Sequence, residues 1–170
     1  MKDKILNLHL FKFLFYNIFK IIKKKLNSNI INFYEKPKSH SIEIALKIFK
    51  RLKKKNDVNK ISYKGLIIGK YIYQSYCREL LEKTIDIKDK RLIKFISEAI
   101  TVVNTVNKFT EEKKIKKLFI SHTIFIRYGI ISKIVSNQNG DVYILYPVSK
   151  NGYLKDLTLL RTSKVLIQQE

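Results

Sequence analysis

Acidic residues, cysteine, glycine and proline are all scarce in this chain. Only 14 of its 170 residues are acidic against 35 basic, which sets the formal net charge at +21. The single cysteine, Cys77, can neither close an internal disulfide nor supply a cysteine-rich metal site. A disulfide scaffold and a zinc ribbon are therefore excluded. Five glycines and two prolines are too few for a flexible linker, and no internal repeat is present. Several catalytic signatures are missing too. No G-x-G-x-x-G follows a strand, and there is no G-x-x-x-x-G-K-S/T loop, no H-E-x-x-H and no G-x-S-x-G elbow. His9, His40 and His122 are scattered, and Asp86 and Asp89 stand one residue too far apart for a D-x-D metal pair. The chain carries no self-sufficient catalytic kit, and no metal is expected.

What is present is enough apolar matter for a core. Hydrophobic residues make up 45% of the chain and aromatics 12%, so the length forms one ordinary domain or half of a two-domain enzyme. The positive charge rests on 30 Lys and only 5 Arg, and Lys, Ile and Asn together fill 69 positions. Those residues have A/T-rich codons, so a biased genome produces this mixture without an anionic partner. Proteins that read nucleic acid lean on Arg for bidentate contacts. Nucleic-acid binding is accordingly disfavoured against a solvated Lys-rich surface.

The excess charge is densest at the start, where residues 1–60 hold 16 basic and 4 acidic residues. The spacing of Leu6, Leu10, Phe13, Leu14, Ile18, Ile21 and Ile22 predicts an amphipathic helix over residues 1–27. Lys12 and Lys20 interrupt it too often for a membrane span, which needs ~20 apolar residues. Lys23-Lys24-Lys25 stands where a signal-peptide cleavage site would need small residues. Two readings stay open: a helix packed on the domain, or one lying on an anionic membrane face.

Residues 28–170 read as an α/β domain. A short strand is expected over Asn29–Tyr34, and a helix after Pro37 with Ser41 as its cap and Glu43 in its first turn. Ile42, Ala45, Phe49 and Leu52 form that helix's expected apolar face. Lys53 to Lys55 read as a solvated helix end. Ile61–Ile68 reads as a strand closed by Gly69, with a helix from about Lys70 to Lys83. Asp89–Phe109 carries the clearest helical stripe. From Lys117 to Tyr146 the order is strand, helix, Asn139-Gly140 stop and a second strand ended by Pro147, a βαβ unit with a right-handed crossover. Fully apolar strands of this kind suit a parallel sheet covered by helices on both faces, with two or three further strand–helix units elsewhere. The expected class is α/β with a Rossmann-like parallel sheet.

Ligands of open α/β sheets bind outside the carboxyl ends of the strands. Ser121-His122 ends such a strand, and His122 is a candidate base for a hydroxyl nucleophile, or else a residue that hydrogen-bonds its own loop. Arg127 and Tyr128 are candidates for an anionic or sugar ligand, or for simple packing and ion pairing. Gly129 allows a neighbouring element to come close. At Gly69, backbone N–H groups of the following helix are candidate ligand donors, although such a turn is more often structural.

Two segments, Tyr63–Arg78 and Leu118–Leu145, together resemble the N-terminal half of bacterial capsule and surface-polysaccharide biosynthesis proteins, which are GT-B-like glycosyltransferases. Gly65, Gly69, Ile72-Tyr73, Ser75 and Arg78 match a glycine-bounded strand leading into a helix. Ser121-His122, Tyr128-Gly129-Ile130, Gly140 and Val142-Tyr143 match the second part. Lys70-Tyr71 and Gln74 depart from it, standing where acidic residues are common. The resemblance covers about residues 60–160 and implies a single domain equivalent to the acceptor-side half of a two-domain enzyme. It implies binding of a glycan or lipid-linked glycan acceptor through Gly65, Gly69, Ser75, Ser121, Arg127 and Tyr128, with His122 facing the acceptor hydroxyl. A nucleotide sugar is expected only with a second domain or subunit, so the chain alone is expected to be inactive. A fragment, a truncated product and one part of a split enzyme all fit that expectation. The basic N-terminal helix then suits a cytoplasmic protein held peripherally on the inner membrane face. The alternative is a non-enzymatic basic peripheral-membrane or interaction protein anchored by residues 1–27.

Overall fold

The computed structural model describes residues 36–150 and 153–161, all within one unit, Phe33–Glu170. The expected helix of residues 1–27 and the expected strand Asn29–Tyr34 lie outside the described residues. What is described is a mixed α/β domain, helical in its first two thirds and sheet-forming in its last.

Helix α1, Ser39–Arg51, starts two residues before the expected cap, with Lys38 at the N-cap and no acid in the first turn. Ser41 is instead buried inside the helix, along with Ala45. Their small side chains let α1 lie against the long helix α4, Leu92–Glu112. The inward face therefore runs through Ser41, Ala45, Ile48, Phe49 and Leu52, while Ile42 is left 40% exposed. A one-turn helix α2, Lys55–Asn59, follows directly, so Lys53–Lys55 form a junction rather than a free helix end. The Asp57 carboxylate accepts the Lys53 and Lys54 N–H groups at 2.9 and 2.8 Å, which holds it below the usual carboxylate range.

The single strand expected over Ile61–Ile68 is a small hairpin. Strand β1, Ser62–Tyr63, pairs antiparallel with β2, Leu66–Ile67. Lys64 and Gly65 form the turn with φ of 50° and 75°, the double left-handed geometry that matches strand twist in two-residue loops. Helix α3, Gly69–Leu80, buries Ile72 and Tyr76, and ends at Leu81, whose φ of 56° gives a left-handed cap.

Helix α4 is the centre of the domain. Its 21 residues bury Phe95, Ile96, Ala99, Ile100, Val103 and Val106 at helical spacing, and Val102 as well. Each of the Phe, Ile and Val side chains contributes about 1.5–3 kcal/mol on burial. Its buried hydroxyls are satisfied locally, Ser97 Oγ donating to the Lys94 carbonyl and Thr101 Oγ1 to the Ser97 carbonyl, both at 2.8 Å. Tyr76 packs edge-on against Phe95 and donates to Asp89 Oδ2 at 2.6 Å, tying α3 to the turn that starts α4.

The βαβ unit is present. Strand β3, Lys117–Ile120, runs parallel to β4, Asp141–Lys150, with Lys117 opposite Asp141 and Ile120 opposite Ile144. Between them lie a π-helical turn, Phe125–Gly129, and helix α5, Ile130–Asn137. Strand β5, Tyr153–Arg161, pairs antiparallel with β4, so the sheet order is β3-β4-β5. Among the described residues this is the one parallel pair, and no further strand–helix unit extends it. Nor is β3 covered on both faces: Phe119 is 54% exposed and stacks on Tyr143 at 5.1 Å. Val142 and Ile144 are buried on the other side, the one-sided pattern of a mixed sheet. Pro147 does not end β4. It lies beyond Ile144, where β3 has already stopped, so among the described residues β4 has one neighbour there and a missing N–H is tolerated.

Candidate functional site

Helical geometry places Tyr71, Gln74, Ser75 and Arg78 on one face of α3, at positions i, i+3, i+4 and i+7. That face meets the π-helical turn. The Tyr71 ring occupies the space a side chain at position 129 would need, so Gly129 is what lets α3 approach. Ser75 Oγ accepts the Ile126 N–H at 2.9 Å. The Arg78 guanidinium sits 4.6 Å over the Phe125 ring. Phe125 itself has φ of 64°, a rare backbone state for an aromatic residue.

These contacts leave an open cleft of about 350 Å³, bordered by Ser75, Arg78, Glu79, Glu98 and the turn residues Phe125 to Tyr128. Arg127 Nε donates to Glu98 Oε1 at 2.9 Å, across from α4. Glu79 is engaged by Lys94. The cleft thus offers guanidinium donors, carboxylate acceptors, aromatic faces and the Ser75 hydroxyl within one small space. Such a mixture can hydrogen-bond a polar ligand and stack against it.

His122 stands beside this cleft, on the segment that leaves the carboxyl end of β3. Its ring meets Tyr128 at 4.2 Å and Phe125 at 5.4 Å. Its Nδ1 is buried with no hydrogen-bond partner, as is Gln74 Oε1 on the facing side of α3. Buried polar atoms are nearly always paired, so two unmet ones flanking the same turn single out this place.

Compared with known proteins, the chain matches no family model, no curated protein and no solved structure.

The fold gathers Ser75, Arg127 and Tyr128 at the cleft and His122 at its side. It does not gather the rest. Gly65 is exposed at the hairpin turn, and Ser121 is exposed just past β3; neither borders the cleft. Gly69 is buried against the Val58 carbonyl and Asn59, and its N–H donates to the Ile61 carbonyl at 3.1 Å, away from the cleft. Glu79, Glu98 and Phe125 are cleft residues that the sequence reading passed over. Glu98 had a legible signal, being the one charged residue in the stretch between Lys94 and Lys108. Phe125 had none, because its role depends on a backbone angle. Among the described residues, no three His, Cys, Asp or Glu side chains are grouped to hold a metal ion, and no helix is long and apolar enough to cross a membrane.

Proposed function

We propose that this chain is the acceptor-side domain of a glycosyltransferase-like protein in bacterial surface (capsular or lipo-) polysaccharide biosynthesis, Rossmann-like in the manner of a GT-B N-terminal half. The observation that carries the reading is the meeting of Tyr71–Arg78 with His122–Gly129, the cores of both segments of the resemblance, around one cleft past the carboxyl end of β3.

In this reading the cleft takes a glycan or lipid-linked glycan acceptor. Glu98 and Arg127 exchange hydrogen bonds with its hydroxyls, while Phe125 and Tyr128 present ring faces to a sugar. His122 is the base that accepts the proton of the attacking hydroxyl. A nucleotide sugar is supplied by a second domain or subunit, so the chain alone turns over none. The basic N-terminal segment places the protein at the inner membrane face.

Amide shifts of the full chain, titrated with oligosaccharide fragments of a surface polysaccharide, test the reading. Changes are expected in Gln74–Glu79, Glu98 and His122–Tyr128, and Tyr128→Ala is expected to weaken binding on the order of tenfold. Sugar release from nucleotide-sugar donors by the 170-residue protein would overturn the acceptor-side assignment. Glycan-induced shifts confined to other surfaces would remove the cleft from it.

A further inference from the structure

The cleft between α3 and the π-helical turn is bordered by four charged side chains, Arg78, Glu79, Glu98 and Arg127. Three of them are answered within the fold. Glu79 is engaged by Lys94, and Glu98 accepts from Arg127 Nε at 2.9 Å. Arg78 is the exception: among the described residues no carboxylate pairs with it.

What holds Arg78 is an aromatic face. Its guanidinium carbon sits 4.6 Å from the centre of the Phe125 ring. The five N–H donors of a guanidinium lie in its own plane, so a contact made through the ring face leaves them to an acceptor elsewhere. The ring also orients the side chain, so less rotamer freedom is lost when a ligand arrives.

Ser75 adds a second donor. It lies three residues before Arg78 on α3, about one turn away, and borders the same cleft. Its Oγ gives a lone pair to the Ile126 N–H, a bond that does not use the hydroxyl proton. The α3 wall thus presents a hydroxyl donor and a cationic fork, while the carboxylates of the cleft are taken up by Lys94 and Arg127. That wall is short of an acceptor.

We propose that the ligand of this cleft carries a carboxylate, which Arg78 grips through its N–H fork and Ser75 through its hydroxyl. Joined to the glycan reading, this names an acidic sugar of the hexuronic kind as part of the acceptor. The planar, two-oxygen shape of a carboxylate matches the fork, and its single negative charge matches the single unanswered cation. A phosphate monoester brings nearly two charges into a cleft that also holds Glu79 and Glu98, and leaves one of them unanswered. The sugar rests on the glycan reading; the carboxylate subsite does not.

The test is an amide-shift titration of the full chain with three probes, ionic strength held constant with sodium chloride. The probes are a glucuronosyl-glucose disaccharide, cellobiose as its counterpart without the carboxylate, and sodium acetate. Saturable shifts are expected at Ser75–Glu79 and Phe125–Tyr128, with the acidic disaccharide bound on the order of tenfold more tightly than cellobiose. Arg78→Gln is expected to abolish that preference and leave cellobiose binding unchanged. Arg78→Lys keeps the charge without the fork and is expected to restore only part of the preference. Equal binding of the two disaccharides overturns the carboxylate and leaves the glycan reading standing. Acetate bound as well as the acidic disaccharide, with no response to cellobiose, supports the carboxylate subsite and removes the glycan. Equal weakening of both disaccharides by Arg78→Gln marks Arg78 as a structural support and overturns the proposal, as does silence with all three probes.

Discussion

Ser75 Oγ accepts the Ile126 N–H at 2.9 Å, a bond between residues 51 positions apart that fixes α3 to the π-helical turn. It gives the turn's first buried N–H an acceptor that the irregular helix does not provide. Ser75→Ala leaves that N–H unpaired and is expected to cost about 1–3 kcal/mol. Urea unfolding gives the magnitude. Hydrogen exchange at Phe125–Tyr128 should quicken more than at α4 if the bond holds the turn in place; uniform quickening counts against that role.

Tyr76 is 1% exposed, and burial, followed by its hydrogen bond to Asp89, pushes its hydroxyl up to about 12. A group whose folded pKa is raised stabilises the fold fully below its unfolded value, here 10.0, and loses that contribution as pH rises through about 12. The wild-type protein is therefore expected to lose stability over that alkaline window. Tyr76→Phe should be less stable at neutral pH by about 1–3 kcal/mol and should show a flatter alkaline limb. Parallel alkaline limbs for the two proteins would locate the loss elsewhere.

Asp89 shows the opposite sign. The Tyr76 hydroxyl first, then the Arg91 N–H and guanidinium, hold its carboxyl below the usual carboxylate range. Its contribution is present above that range and disappears as pH falls through the depressed value. Asp89→Asn is expected to lower stability near neutrality and to narrow the gap from wild type in acid. Denaturant midpoints from roughly pH 2 to 6 check this, since a constant gap would mean the charge is not what matters.

The two glycines of the hairpin region respond differently to alanine. At Gly69 an added methyl runs into the backbone of Val58 and Asn59, which has nowhere to go. At Gly65 there is open space, and the cost comes only from φ of 75°. Gly69→Ala is therefore expected to destabilise by about 3 kcal/mol or more, and Gly65→Ala by about 1–2 kcal/mol. Gly65→Asn should recover most of the smaller loss, since Asn tolerates that backbone state. Thermal unfolding of the three variants ranks them directly.

The long periodic features were readable in one dimension. The α4 stripe from Leu92 to Val106 and the strand–helix–strand order from Lys117 onward depend on spacing alone, because a helix with one wet side and a pair of parallel strands each impose their own period. Features set by competition between neighbours were not. Ser41 is a good N-cap by residue type, but the close approach of α1 to α4 puts a small buried side chain there and moves the helix start back to Ser39. Ile61–Ile68 has strand composition, but Lys64-Gly65 folds it on itself as a hairpin.

The candidate site divides along the same line. Ser75, His122, Arg127 and Tyr128 are visible as chemistry in the sequence, and the two segments that carry them can be quoted side by side. That they border or flank one cleft, that Glu98 faces Arg127 from a helix otherwise devoted to the core, and that Gly65 and Gly69 lie elsewhere are matters of tertiary structure. The amino-acid order determines which groups exist and which local periods they obey. Which groups meet depends on burial shared among elements far apart in the chain, and no local pattern records that.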